Sequence, residues 1–210
     1  MIDFYWVPTA NGQRAAIVLE ETGERYRLHP VDLMRGEHLA PEYLAVNPVG
    51  KTPTIVDAET GATVYGTLAI GLYLCDKHGM LLGDSLAMRA AVYHWAGLVA
   101  SDLGPAFTGQ YIFNVMAPEH LEFPVRYFDE QVIRLLSALE RRLTETPYLG
   151  GEVYSLADAL AYPAAATSAA RLPKGLEQFP ALRGWQQTVA ARPAVQRAMA
   201  LQAEGVRVPA

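Results

Sequence analysis

Two short stretches of this chain carry residues that could do chemistry. In Asn47-Pro48-Val49-Gly50-Lys51-Thr52-Pro53-Thr54-Ile55-Val56 a turn runs into a proline one residue before a β-branched strand. A strand needs its backbone N–H groups, so proline is confined to a strand's start or edge, and a cis bond there would turn the N–H and C=O of Thr52 outward. A peptide pinned in this way is a clamp for another extended, peptide-like molecule, held by strand-type pairing. The bland alternative is a tight turn leading into a hairpin. The second stretch is Thr9-Ala10-Asn11-Gly12, a hydroxyl and a carboxamide at the head of a helical pattern. A free thiol has a pKa of about 8.5, and lowering it by roughly two units requires about 2.7 kcal/mol of preference for the thiolate. A helix N-terminus supplies about 0.3–1 kcal/mol and each hydrogen bond to a charged acceptor about 1.5–3, so Thr9 and Asn11 suffice without a strong base. The alternative is that both residues merely cap the helix. The proline clamp at a fitting distance along the chain favours the chemical reading.

The elements that must position these residues can be read from periodicity. Ile2 to Val7 is a β-branched and aromatic run, Gln13 to Glu21 a helical pattern that stops at Gly23, and Tyr26 to Val31 a second strand. Asp32 to Asn47 reads as an irregular or helical crossing. Thr54 to Asp57 and Thr63 to Tyr65 form a hairpin turned at Glu59-Thr60-Gly61, and a helix from about Leu68 to His78 stops at Gly79. This order describes a small α/β sandwich with one right-handed crossover in its first half. Beyond a boundary at Leu81 to Leu86 the patterns are helical: Leu86 to about Gln110, with Gly104-Pro105 expected to bend or break it, and Phe123 to Leu143. Ser155-Leu156-Ala157-Asp158 has the spacing of a helix cap whose third residue bonds back. The alanine-rich run Ala159 to Ala170 predicts a central, closely packed helix, and Pro180 and Pro193 bracket one further helix through Trp185.

Composition narrows the class. The 210 residues suit one or two domains, and 51% hydrophobic content is ample for a core. A net charge of −5 with no long run of either sign excludes a nucleic-acid surface. No apolar stretch is long enough to span a bilayer and no signal-peptide pattern opens the chain, so the expected location is the cytoplasm, without a membrane partner. One cysteine, Cys75, excludes a disulfide framework and any CxxC redox or zinc site; no metal site is expected. Thiol chemistry must therefore use an external thiol or Cys75, which sits within a helical pattern and reads as a buried small hydrophobe.

On these residues, and over essentially its whole length, the chain resembles the cytosolic glutathione transferases. Asn47 to Pro53 resembles that family's NPxGKxP signature, and Ser155-Leu156-Ala157-Asp158 its helix cap. Thr9-Ala10-Asn11-Gly12 is similar to the TPNG loop of the Nu class and its fungal prion-related cousins; the resemblance extends to Tyr148-Leu149-Gly150-Gly151 and to Phe113-Asn114 followed by Ala117-Pro118. The resemblance implies an α+β protein with the glutathione transferase fold: a thioredoxin-like α/β domain over residues 1–82, then an all-α helical-bundle domain over 86–210. It implies a homodimer, glutathione as cosubstrate, and glutathione-dependent reduction of disulfides or peroxides more than conjugation of an apolar electrophile.

Carried over by position, the resemblance gives Thr9 and Asn11 the thiolate-holding role. It gives His38, Lys51, Thr52, Pro53, Gly66 and Thr67 the glutathione site, and Phe107, Tyr111, Phe113, Asn114 and Arg126 the acceptor site. A tyrosine mechanism is disfavoured, since the end of the first strand holds Trp6, and Tyr5, one residue earlier, points to the other face. A cysteine mechanism has no thiol in the Thr9–Asn11 loop. His38, which matches a family glutamine, and Lys51 could reach the glycyl end of glutathione; His38 is otherwise an ordinary loop histidine. Arg126 is offset by one residue from the family spacing, which leaves Tyr127 as the competing occupant. Core packing is the competing reading for each acceptor-site aromatic.

The main departure is Gly66-Thr67, where the family places Glu-Ser. Thr67 supplies a hydroxyl and an N–H at a helix start that suits a carboxylate, but Gly66 cannot supply the acid that meets the glutamyl ammonium group. The missing contact is worth on the order of 1.5–3 kcal/mol, about ten- to a hundredfold in affinity, unless Glu20 or Glu21 compensates. Three functions stay open: a glutathione-dependent transferase or oxidoreductase, a non-catalytic ligand- or partner-binding protein on the same scaffold, and a glutathione-assisted isomerase, lyase or ether-cleaving enzyme.

Overall fold

A computed structural model describes residues 1–168, 172 and 175–202. The chain divides into two compact units, one made of residues 1–80 with the C-terminal segment from Arg192, the other of residues 81–191.

The first unit is built on four strands, β1 (Ile2–Trp6), β2 (Tyr26–Pro30), β3 (Thr54–Asp57) and β4 (Thr63–Tyr65), in the order β2-β1-β3-β4. β1 and β2 run parallel, as a helical crossover requires, and β3 and β4 are antiparallel additions on the other side. Alternation along β1 sends Ile2, Phe4 and Trp6 into full burial and leaves Asp3 and Tyr5 half-buried on the opposite face. Three helices complete the sequence-expected part: α1 (Ala10–Thr22), α2 (Pro41–Val46) and α3 (Thr67–His78). α1 packs on α3, contributing Ala15, Ala16, Ile17, Val18 and Leu19 to a core that also takes Ile70, Leu74 and Cys75. On the sheet's other face Tyr43 of α2 joins Val7 and Val31, with Tyr5 and Leu33 packed against them. α1 begins three residues earlier than its apolar periodicity indicates, because Thr9 caps it, and it ends at Gly23 in the left-handed conformation.

The second unit holds α4 (Leu86–Leu98), α5 (Gly104–Tyr111), α6 (Glu122–Glu145), α7 (Leu156–Pro163) and α8 (Pro180–Ala190). Gly104-Pro105 does not break the first of these. Pro105 has no N–H to give, and the chain adjusts by a π-helical turn over Val99–Leu103 that carries α4 into α5, with a second over Ile112–Met116. α6 buries Val132, Leu135, Leu136 and Leu139 at i, i+3, i+4 and i+7, the stripe of an amphipathic helix. α7 is buried along its whole length, as its alanines predict; Ala169 and Ala170 of that run lie outside the described residues. Ser155 and Asp158 form a reciprocal capping box, and the Asp158 carboxylate also accepts the Leu149 N–H at 2.9 Å and the Trp185 indole N–H at 2.8 Å. One element is not visible in the periodicity, α9 (Pro193–Met199): the sequence predicts one further helix and two form. α9 packs on α1, and Arg192 grips the Glu21 carboxylate with two bonds of 2.7 and 2.8 Å.

Candidate functional site

The register of the sheet decides which segments can meet. Tyr5 pairs with Thr54, and Thr54 with Tyr65, so the end of β1, the start of β3 and the end of β4 lie side by side. The chain leaving β1 carries Thr9 and Asn11, the chain entering β3 carries Lys51, Thr52 and Pro53, and the chain leaving β4 carries Gly66 and Thr67. One end of the sheet therefore collects seven residues from three loops.

In the first loop Thr9 is extended at φ −105°, ψ 164°, and its hydroxyl oxygen accepts the Gly12 N–H at 3.2 Å. Capping occupies a lone pair of Thr9 and leaves its hydroxyl hydrogen to donate. Asn11 is exposed, and its carboxamide oxygen accepts from Nη1 of Arg14 at 2.7 Å. Gly12 is obligatory: a Cβ there would stand 2.0 Å from the Val7 carbonyl oxygen and 2.9 Å from the Trp6 indole. This close approach lays the head of α1 against the end of β1.

The Thr52–Pro53 bond in the second loop is cis, as the clamp reading of the two requires. It is held from behind: the Lys51 carbonyl accepts from the Tyr43 hydroxyl at 2.7 Å and the Asn47 amide at 2.6 Å, and Asn47 also reaches the Thr54 hydroxyl at 2.9 Å. Burial pushes the Tyr43 phenol up, which keeps it a neutral donor. Among the described residues neither the N–H nor the C=O of Thr52 has a partner, so both polar groups are available to a ligand. Gly50 packs closely on the carbonyl of His38, which places the His38 segment beside the base of Lys51. Lys51 is exposed and forms no ion pair among the described residues. In the third loop Gly66 sits at φ 87°, ψ 130°, with nothing within 4 Å of where a Cβ would be, and Thr67 opens the N-terminus of α3.

Cys75 takes no part: it is fully buried in α3, and burial pushes its thiol up to about 12. Nor can Glu20 or Glu21 stand in for the missing acid. Glu20 accepts the Tyr26 hydroxyl at 2.7 Å and pairs with Arg197 at 2.6 Å, while Glu21 is taken by Arg192, all at the far end of α1.

Comparison with known proteins agrees with this geometry. Residues 10–77 match the N-terminal domain and residues 110–193 the C-terminal domain of glutathione S-transferases. The disulfide-bond oxidoreductase YfcG of Escherichia coli is 36% identical over 205 residues, covering 95% of this chain and 94% of the relative. The chain belongs to the glutathione S-transferase family. Among solved family members, a glutathione transferase of Pseudomonas putida with one glutathione disulfide bound per subunit superposes with a TM-score of 0.90 at 28% identity, over 96% of this chain and 92% of that one. A glutathione transferase of Burkholderia graminis with two glutathione molecules bound per subunit gives 0.90 at 30% identity, over 97% and 89%.

In this glutathione S-transferase the five residues assigned to the acceptor side all lie on the α5–α6 hairpin of the helical unit. Phe107 is buried in that unit's core. Tyr111 and Phe113 are half-buried, or nearly so, and Phe113 stacks on Phe128 with ring centroids 5.5 Å apart. Asn114 donates to the Gln110 carbonyl at 3.0 Å, and the Gln110 side chain in turn donates to Asp129 at 2.7 Å. Arg126 is exposed, as is Tyr127, which lies between Phe123 and Phe128. Sequence reasoning missed Arg14. The signal available was an arginine within the apolar run of α1, at a position where a helix face that buries Val18 also passes.

Proposed function

We propose that this protein is a glutathione-dependent thiol–disulfide oxidoreductase of the Nu-like type, acting through a glutathione thiolate held at the head of α1. The observation that carries the reading is the register Tyr5–Thr54–Tyr65, which brings the Thr9 and Asn11 donors, the unpartnered Thr52 backbone and the α3 N-terminus to one end of the sheet. An extended tripeptide thiol matches that set: its backbone pairs with Thr52, a carboxylate suits Thr67 and the helix start, and its glycyl end suits Lys51 and His38. The chain itself offers no reactive thiol, so both electrons must come from glutathione.

Chemically, the bound thiolate attacks one sulfur of a disulfide, forming a mixed disulfide and releasing the second sulfur as thiolate, which takes a proton. A second glutathione thiolate then displaces the remaining thiol. Two glutathione molecules are oxidised to glutathione disulfide and one acceptor disulfide is reduced to two thiols. Peroxide reduction would use the same thiolate, with oxygen as the leaving group. The relatives support this direction: one is named a disulfide-bond oxidoreductase, and two solved structures hold glutathione disulfide or two glutathione molecules. We further assign the acceptor wall to the α5–α6 hairpin residues, the working form to a homodimer, and the location to the cytoplasm, where thiols are kept reduced.

The test is turnover of a small symmetric disulfide with glutathione, read as glutathione disulfide formed, for the natural protein and for Cys75→Ala. Equal turnover in both supports an external thiol. Activity that disappears with Cys75 would overturn the mechanism, and no turnover in either would overturn the function.

A further inference from the structure

The orientation of a carboxamide is set by chemistry when its neighbour can only donate. Arginine has five N–H donors and no acceptor, so the atom of Asn11 that lies 2.7 Å from Nη1 of Arg14 must be the oxygen. The NH2 end of Asn11 is then on the opposite side of the amide, turned away from Arg14. Asn11 is exposed at the head of α1, whereas Arg14, one turn along, is only 3% exposed. A buried cation therefore stands directly behind an exposed donor, in the first turns of the helix whose N-terminus already favours negative charge.

We propose that Arg14 is a positioning residue for the thiolate: it locks Asn11 as a hydrogen-bond donor toward the ligand sulfur, so the site binds a thiolate in preference to a thiol. The proposal rests on the glutathione-dependent reading above. Without Arg14 the Asn11 amide can rotate, and its oxygen would as readily face the sulfur, which repels a thiolate. The guanidinium is desolvated, its own pKa brought down to about 10 by burial, so it remains charged and keeps all of its donors throughout the neutral range. A lysine would keep this function, being also a donor without an acceptor; a glutamine, whose own amide can turn either way, or a methionine would not.

The experiment measures the pKa of the glutathione thiol on the protein by the ultraviolet absorbance of the thiolate, together with kcat and KM for disulfide reduction, in Arg14→Gln, Arg14→Met and Arg14→Lys. The two neutral variants differ in shape, so one that fails to fold leaves the other. Expected is a rise in bound-thiol pKa of about one unit in Gln and Met, with kcat near pH 6.5 down about tenfold and KM for glutathione within about threefold. The Lys variant should restore both values to within about threefold of the natural protein. Combining Arg14→Met with Asn11→Ala should be no worse than the more severe single change, since both act through one donor. A natural thiol pKa in the neutral variants, a defect confined to KM or to melting temperature, no rescue by lysine, or additive losses with Asn11→Ala would each overturn the proposal. If the natural protein itself shows no thiolate signal with glutathione, it is the underlying function that fails.

Discussion

The Thr9 hydroxyl accepts the Gly12 N–H at 3.2 Å while standing at the point where β1 hands the chain to α1. On the proposed function Thr9 serves the helix and the ligand with one oxygen, accepting from the first, as the structure shows, and donating to the second. Thr9→Ala should lower turnover at least tenfold and also remove a cap worth about 1 kcal/mol. That corresponds to a melting temperature lower by about 2–4 °C for a chain of this size. Thr9→Ser should restore both. Asn11→Ala removes an acceptor of the buried Arg14 guanidinium as well as a donor to the ligand, so it should lose turnover to a similar degree and stability by about 1–3 kcal/mol in chemical denaturation. Equal activity in both alanine variants would remove these residues from the chemistry.

Gly66 combines open space with a backbone that side chains resist. A glutamate there meets no atom, but φ 87° with ψ 130° is a region that L-residues adopt at a cost on the order of 1–3 kcal/mol. Gly66→Glu should therefore lower stability in urea while tightening glutathione about tenfold or more through the restored charge contact. Gly66→Ala isolates the backbone cost and should tighten nothing. A glutamate variant that binds glutathione no better than the alanine variant would show that the ammonium group is held elsewhere.

Asp158 joins three segments of the helical unit: both carboxylate oxygens are used, by Ser155 N–H and O–H on one side and by Leu149 N–H and Trp185 N–H on the other. Removing a fully buried acceptor leaves those donors unsatisfied. Asp158→Ala should cost about 3 kcal/mol or more in chemical denaturation. Asp158→Asn should not repair it, because its NH2 would face donors. Activity per folded molecule should be unchanged in both, which separates this network from the site.

Acid stability should depend on Asp57. Burial alone would raise its pKa, but Lys77 at 2.7 Å, the Tyr73 hydroxyl and the Glu59 N–H bring it down to about 2. A carboxyl depressed in the folded state contributes stability above its unfolded pKa, and that contribution is lost as pH falls from about 4 through about 2. The natural protein should lose urea resistance steeply across that window. Asp57→Asn should be less stable at pH 7 and flatter below pH 4; an unchanged slope would assign the acid limb to other carboxylates.

The parts of this molecule legible in its sequence were those governed by local rules. β3 and β4 form over the residues that alternation and turn chemistry assign, and Gly23 and Gly79 end their helices in the left-handed conformation. The cis bond before Pro53 was legible because proline nearly abolishes the preference for trans, and a tight turn at a strand start is where the cis form belongs. What escaped depends on tertiary partners. α9 is short, and what holds it is packing on α1 with the Arg192–Glu21 pair, a contact across more than half the chain. The continuity of α4 into α5 past Pro105 rests on a π turn that no periodicity announces. Arg14 was passed over because an arginine in a helix reads as surface until burial shows otherwise. Compensation by Glu20 or Glu21 fails for the same reason: their partners come from the C-terminal segment.

The most direct test of the central claim is calorimetric titration of the natural protein with glutathione disulfide and, separately, reduced glutathione, beside Asn11→Ala. Binding of the disulfide in the micromolar range by both proteins, with proton release on binding reduced glutathione that is lost in Asn11→Ala, is the predicted result. An absence of binding to either form by the natural protein, with binding restored in Gly66→Glu, would contradict it, and would mean that the end of the sheet now serves a different ligand.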